Sequence, residues 1–409
     1  SSSSGGGSLV KHGTVTIDTP SSITEAAFTN IPSTAKKITV SLYRFGYNTL
    51  DGTSDDIIME VGDSSGYANS GYQSAFDSVD IVGNLGGNQL TTAYGLADDT
   101  SISYDYNITI ELVNVTGNSW TISHQGGDST DKSIHGGGSI TLSNALDKLR
   151  IKTQNGRYLS PGGPQGNQNG YVTVHYETEG SGGGSSSSGG SSLVKHGTVD
   201  ATSSTAAAFT NIPSTAKKIT VSIHRANFNG TNNIGFLSME VGDSSGYIQS
   251  GYESSYELRD QTSDAARSQN YYGLAYHVND TYNYSYNIEL VNITGNKWTI
   301  SHVGHSNQST GQISHGAGSI QLTNALDKLR IQTYTPGVSG YTAQTFDSGE
   351  VTVYYEAEGS GSSSGGSGGS SFVTGMIMMF SGTTAPTGWV LCDNSTEAQA
   401  ANAPDLRDR

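Results

Sequence analysis

The sequence predicts an all-β protein: two tandem, jelly-roll-like antiparallel β-sandwich domains joined by Gly/Ser linkers, with a short β segment of another kind after them. Three observations carry this. Apolar and polar residues alternate, as in Lys37-Ile38-Thr39-Val40-Ser41-Leu42, the pattern of a strand with one buried face. Helical periodicity nowhere outlasts about a turn. The landmarks of one block return, in the same order, in a second.

The duplication sets the domain organisation. Asn30 to Ser41 recurs letter for letter as Asn211 to Ser222. Val61-Gly62-Asp63-Ser64-Ser65-Gly66-Tyr67 returns at Val241, and Glu111-Leu112-Val113-Asn114 at Glu289. Gly117-Asn118-Ser119-Trp120 returns as Gly295-Asn296-Lys297-Trp298, and the stretch from Asn144 to Ile151 at Asn324. The offsets are 181, 180, 178, 178 and 180, so insertions are small and fall between strands, where loops tolerate them.

In chain order, residues 1–8 are Ser and Gly, 9–179 form the first sandwich, 180–192 a Gly/Ser linker, 193–358 the second sandwich, 359–371 another linker, and 372–409 a third module. The linkers run into Leu9-Val10, Leu193-Val194 and Phe372-Val373. A 13-residue Gly/Ser segment spans roughly 20 Å root-mean-square, so the modules are expected on loose tethers unless association packs them. Strands are expected near 11–17, 37–45, 57–61, 101–115, 119–124, 139–142, 148–153 and 171–177, separated by Gly/Asn/Asp-rich loops. Pro32 opens the strand at 37–45 with a turn. The core strand carries Ile102, Tyr104, Tyr106, Ile108, Ile110 and Leu112 on one face; the other, with Asp105, Asn107, Thr109 and Glu111, reads as wet. Its twin places Tyr282, Tyr284, Tyr286, Ile288 and Leu290 inward. Trp120 and Trp298 are expected in matching, buried positions.

Composition narrows the function classes. The chain has 409 residues, 54 Gly, a formal charge of −16 and no Lys/Arg cluster, which argues against nucleic acid. No apolar run reaches membrane-spanning length. One cysteine, Cys392, leaves no internal disulfide framework and no cysteine metal cage. Without an initiator Met or a signal peptide, a mature product or an internal piece is expected.

Several constellations suggest chemistry. Gly62-Asp63-Ser64-Ser65-Gly66 and its copy at Gly242 fit the nucleophile-elbow spacing, but that motif needs a helix behind the serine, and Tyr67-Ala68-Asn69-Ser70-Gly71-Tyr72 is turn-forming. A hairpin turn is expected, and no enzyme. His12, His124 and His135 recur as His196, His302 and His315, the last two pairs flanking a Gly-rich loop. They are expected to cap carbonyls rather than to bind metal; no metal or other cofactor is called for. Asp51, Asp55 and Asp56 form an acidic loop without calcium-loop spacing and are expected to be solvated. Tyr67, Tyr72, Tyr247, Tyr252, Tyr271, Tyr272 and Tyr276 lie among Asn, Asp and Ser, and such tyrosines can stack on and hydrogen-bond sugars; they are the candidate glycan-binding residues, with sheet-end packing as the other reading.

The C-terminal stretch resembles the bacteriophage tail-collar family. Gly375, Ile377, Phe380 and Gly382 match its opening strand and turn; Pro386, Gly388, Trp389, Cys392 and Asp393 match its Pro-x-Gly-Trp-x-x-Cys-Asp signature; Pro404, Asp405, Leu406, Arg407 and Arg409 match its close. Asn394 and Asp408 stand where glycine is usual, and the middle segment is short, so the natural protein is expected to continue past Arg409. More diffusely, the upstream blocks resemble sandwich modules repeated along tail fibres of phages from aquatic bacteria, through Phe28-x-x-Ile31-Pro32, Ser70-Gly71-Tyr72 and Phe346-Asp347-Ser348-Gly349. The resemblances imply a trimeric, non-enzymatic virion fibre that contacts host-cell-surface carbohydrate and other virion proteins. Met376, Ile377, Met378, Met379 and Phe380 give one strand two apolar faces, so these residues and Trp389 are expected in subunit contacts. The alternatives are a non-viral extracellular filament built by strand complementation and, further off, a polysaccharide depolymerase.

Overall fold

The computed structural model describes residues 9–18, 23–47, 55–79, 85–97, 105–128, 132–160, 169–179, 193–229, 236–259, 263–268, 271–276, 281–307, 312–334 and 344–357. Every regular element among them is a strand. In the first repeat these are β1 (Val10–Ile17), β2 (Glu25–Thr29), β3 (Ala35–Phe45), β4 (Ile57–Asp63), β5 (Gly66–Tyr67), β6 (Gln73–Val79), β7 (Leu85–Leu90), β8 (Tyr94–Ala97), β9 (Tyr106–Thr116), β10 (Ser119–Asp128), β11 (Ser133–Thr141), β12 (Lys148–Thr153) and β13 (Gly170–Thr178).

The second repeat follows the same plan. Its strands are β14 (Leu193–Asp200), β15 (Ala206–Thr210), β16 (Ala216–Asn229), β17 (Phe236–Asp243), β18 (Gly246–Tyr247), β19 (Glu253–Arg259), β20 (Ser263–Ser268), β21 (Tyr272–Tyr276), β22 (Tyr284–Thr294), β23 (Lys297–Ser306), β24 (Gln312–Gln321), β25 (Lys328–Tyr334) and β26 (Thr345–Ala357).

Each repeat is an antiparallel sandwich. An eight-stranded sheet, ordered β1-β13-β3-β9-β10-β11-β6-β7, packs on a five-stranded one built from β2-β12-β4-β5 with β8 beside β4. The second repeat copies both orders strand for strand. Ile38, Val40 and Leu42 on β3 and Ile108, Ile110 and Leu112 on β9 face inward onto Met59, Val61, Leu149 and Ile151 of the smaller sheet. Trp120 and Trp298 are buried at matching registers, opposite Ile140 and Ile320.

The duplicated Asn-Ile-Pro segment now has a local reason. Asn30 and Asn211 adopt left-handed φ of 60° and 61°, which asparagine tolerates better than most residues. Ile31 buries its side chain and donates its N–H to the Asp147 carbonyl at 2.8 Å. Ala35 N–H then bonds the Pro32 carbonyl at 2.9 Å, closing the turn that launches β3.

The structure corrects several sequence expectations. β2, β6, β7 and β8 were not foreseen; they are short and rich in Ala, Ser, Gly and Gln, which carry little alternation. The Gly-rich stretch between His124 and Ser139 is not simply a loop, because β10 runs on to Asp128 and β11 begins at Ser133. Glycine serves there as room for rings: a Cβ on Gly136 would lie 2.2 Å from the His124 ring, and one on Gly138 2.7 Å from Tyr94. The sandwiches are not strung apart either, for both belong to one compact unit. The linkers, Ile102, Tyr104, the acidic position 51 and the whole collar-like stretch, with Met376, Ile377, Met378, Met379, Phe380 and Trp389, lie outside the described residues.

Candidate functional site

Most of the tyrosines singled out as sugar platforms are inside. Tyr72, Tyr252, Tyr271 and Tyr272 are buried, so their rings are not offered to a ligand. The reason is their hydroxyl partners: Tyr72 accepts the Val61 N–H at 2.8 Å, Tyr252 accepts the Val241 N–H at 2.8 Å, and Tyr272 bonds His302 Nδ1 at 2.8 Å. Tyr67 and Tyr247 are half-buried, with the Arg150 and Arg330 guanidinium groups 4.1 and 4.2 Å from their ring centres. One face of each ring is thereby occupied. Tyr276 sits on β21.

The repeated Gly-Asp-Ser-Ser-Gly motif is a two-residue hairpin turn between β4 and β5 and again between β17 and β18. Asp63 is buried and accepts the Ser65 hydroxyl at 2.5 Å, the Ser65 N–H at 2.8 Å and the Asn144 N–H at 2.8 Å. The Ser65 bonds, with Asn144 behind them, hold its carboxyl at about 2. Asp243 repeats this with Ser245 and Asn324. The motif ties a hairpin to the loop before β12.

The histidines divide. His12 and His196 hydrogen-bond the carbonyls of Thr29 and Thr210, as capping predicts. His124 and His302 are buried against Tyr94 and Tyr272, and burial, with His135 and His315 nearby, brings each to about 3. Asp55 is buried rather than solvated, its carboxylate accepting both N–H groups of Asn155 at 3.0 to 3.2 Å. Among the described residues no group of three or more His, Cys, Asp or Glu side chains is placed to hold a metal.

The contact between the two sandwiches is the feature with the densest polar chemistry. The outer face of β6 and β9–β11 in the first meets the outer face of β14, β26, β16 and β22–β24 in the second. Thr121 donates to Asn287 Oδ1 at 2.5 Å and touches the Ser222 hydroxyl; Asn287 Nδ2 donates to Ser123 at 3.0 Å. Tyr354 donates its hydroxyl to the Asn114 carbonyl at 2.7 Å, and Thr352 donates to the Val115 carbonyl at 2.8 Å. Val113, Leu193 and Tyr354 form a small apolar seal beside these bonds. Gly137 lies so close that a Cβ on it would stand 2.7 Å from the Gly304 backbone.

Charge is matched across the same contact. Lys37 is buried between Glu111 of its own sandwich and Glu289 of the other, 3.0 Å from each. Burial pulls its pKa down, but the two carboxylates outweigh that and the net direction is up. Arg44 and Arg225 are equivalent bulge residues, both with φ of 50°. Arg44 pairs with Asp105 at 2.9 Å; the second repeat has Asn283 there, and Arg225 instead reaches across to the Gly71 carbonyl at 2.8 Å. His135 stacks on its own repeat equivalent, His315, with ring centres 4.3 Å apart and planes 5° from parallel.

Of the face of the core strand read as wet, Asn107 and Thr109 are exposed, whereas Asp105 is buried against Arg44 and Glu111 borders the contact between the sandwiches. Serine, threonine and asparagine look alike in sequence whether they meet water or another sheet, so alternation alone gave no signal. The one usable signal was the departure between repeats: Gly137 against Ala317, Thr109 against Asn287, His175 against Tyr354. No family model matches the chain, and no curated protein is significantly similar to it.

Proposed function

We propose that the chain is a structural subunit of a fibre, in phage terms a tail-fibre protein, whose sandwiches act as laterally packed spacers and whose working surface is the contact between them. The observation that supports this reading best is that contact. Two sandwiches bond through unlike parts of the same sheet face, which is how repeated modules build a shaft. The collar-like close of the sequence supports a phage particle as the setting, with three copies around the fibre axis and other virion proteins as neighbours. On this reading the chain performs no catalysis, and host-surface carbohydrate is the ligand class. The exposed, stacked pair Tyr43 and Tyr171, with ring centres 6.3 Å apart, replaces the buried tyrosines as its aromatic platform.

Electron microscopy of the intact chain, with its mass by light scattering, is the test. A short threefold fibre of three chains is expected. An open-ended helical polymer favours the extracellular filament instead, and a dispersed monomer overturns both.

A further inference from the structure

The contact between the sandwiches engages different parts of the same sheet face on each and leaves part of that face open on both. On the first sandwich the patch around Thr121, Ser123 and Val113 is engaged; on the second it is the patch around Ser222, Asn287 and Leu193. Strand pairing gives the equivalences. Ser41 lies opposite Thr109 as Ser222 lies opposite Asn287, and Thr121 lies opposite Ser139 as Thr299 lies opposite Ser319. A twofold-like, self-complementary contact would engage Thr299 and Ser301 against Ser41 and Thr109. It does not: Thr299, Ser301 and Thr109 are exposed. The contact is head-to-tail, and a head-to-tail contact leaves one unused half at each end.

The apolar residues mark those halves. Leu193 is 1% exposed in the contact, whereas its equivalent Leu9 is 59% exposed. Val113 is 1% exposed and Val291 38%; Val115 is 0% and Ile293 61%. These are among the largest exposed apolar side chains of the described residues, and they sit where the first contact predicts a partner.

Equivalent residues also converge. The cleft between the sandwiches, about 680 Å³, is lined by Glu111 with Glu289, His135 with His315, and Thr109 with Asn287. Head-to-tail copies bring like residues together near their rotation axis, so the cleft lies beside that axis, where a further module placed by the same contact would also come.

The geometry points to a sandwich of a second copy of this chain closing over that cleft, seated on Thr299, Val291 and Ile293 of the second sandwich and on Ser41, Thr109 and Leu9 of the first. This rests on the reading of the chain as a laterally associating structural subunit and names its docking surface. The visiting sandwich opens its own internal contact to enter. Ala317 stands where Gly137 makes its close approach, so the second contact opens slightly at that point.

The test uses the full chain with Leu9→Asp, Val291→Asp and Ile293→Asp together, all exposed positions, with circular dichroism and melting to check the fold. By light scattering at about 20 μM, the unaltered chain is expected as an oligomer and the triple variant as a folded monomer, association weakening at least tenfold. In a Cys392→Ser background, Thr109→Cys with Thr299→Cys is expected to give a reducible band between chains. If the unaltered chain is oligomeric but the triple variant stays so and no cross-link forms, the docking surface is wrong while lateral association stands. If the unaltered chain is a monomer, both fall.

Discussion

Lys37 of the first sandwich holds Glu289 of the second at 3.0 Å, the distance at which it holds its own Glu111. The ammonium separates two carboxylates that the repeat places face to face. Replacing it with Met, of similar length, leaves Glu111 opposed to Glu289, which Lys218 still reaches at 2.7 Å, a loss on the order of 1–3 kcal/mol. Lys37→Met is expected to split one cooperative thermal transition into two as the sandwiches uncouple. A single transition at an unchanged midpoint counts against the coupling role.

Gly137→Ala tests the same contact without touching charge. The added methyl group meets the Gly304 backbone, which cannot yield as a side chain could. Each sandwich should keep its own fold while the pair opens, seen as faster hydrogen exchange at Thr121 and Ser222 with strand content unchanged. The control is Ala317→Gly, whose position is exposed and which should leave exchange as it is.

Acid should weaken the fold well before its carboxylates titrate. Burial holds His124, His224, His302 and His305 at about 3, far below the usual histidine value. The unfolded chain takes up protons near 6.5 while the native one stays neutral at these rings, so stability falls as pH drops from about 6.5 towards about 3. Each ring contributes up to about 1.4 kcal/mol per pH unit in that window. Asp63 and Asp243, held at about 2, lose their contribution only below about pH 4. Urea melts at pH 7, 6 and 5 should show the decline, and His302→Asn should make it shallower; equal midpoints at all three would refute this.

Tyr72→Phe and Tyr252→Phe should each destabilise their own sandwich by about 1–3 kcal/mol, because the buried Val61 or Val241 N–H loses its acceptor. On the proposed carbohydrate-binding reading, glycan-array signal should survive both changes and weaken for Tyr43→Ala and Tyr171→Ala. The reverse ranking would return the platform to the loop tyrosines.

Legibility in the sequence followed what the residues have to do. Ile108, Ile110 and Leu112 announced their strand because one face must exclude water and the other need not. Gly126, Gly136 and Gly138 hid theirs, since a strand that makes room for rings is written in residues that usually signal turns. Tyr72 was visible as an aromatic in a loop, but its direction was set by the Val61 N–H on β4, a contact no local pattern announces. Thr121, Ser123, Ser222 and Asn287 drew no expectation at all, because a sheet face that binds another sheet through hydroxyls and amides has the composition of one that binds water.

The head-to-tail contact has a kinetic consequence. Thirteen residues separate the two sandwiches in sequence, and a covalent link of that length presents one to the other at an effective concentration on the order of millimolar. At micromolar chain concentration, closure within the chain therefore precedes encounter between chains by roughly a thousandfold. A second copy then competes for faces that are already occupied in its own molecule. Assembly should speed up with concentration only to a plateau, and the height of that plateau is the rate at which a closed chain lets go of itself.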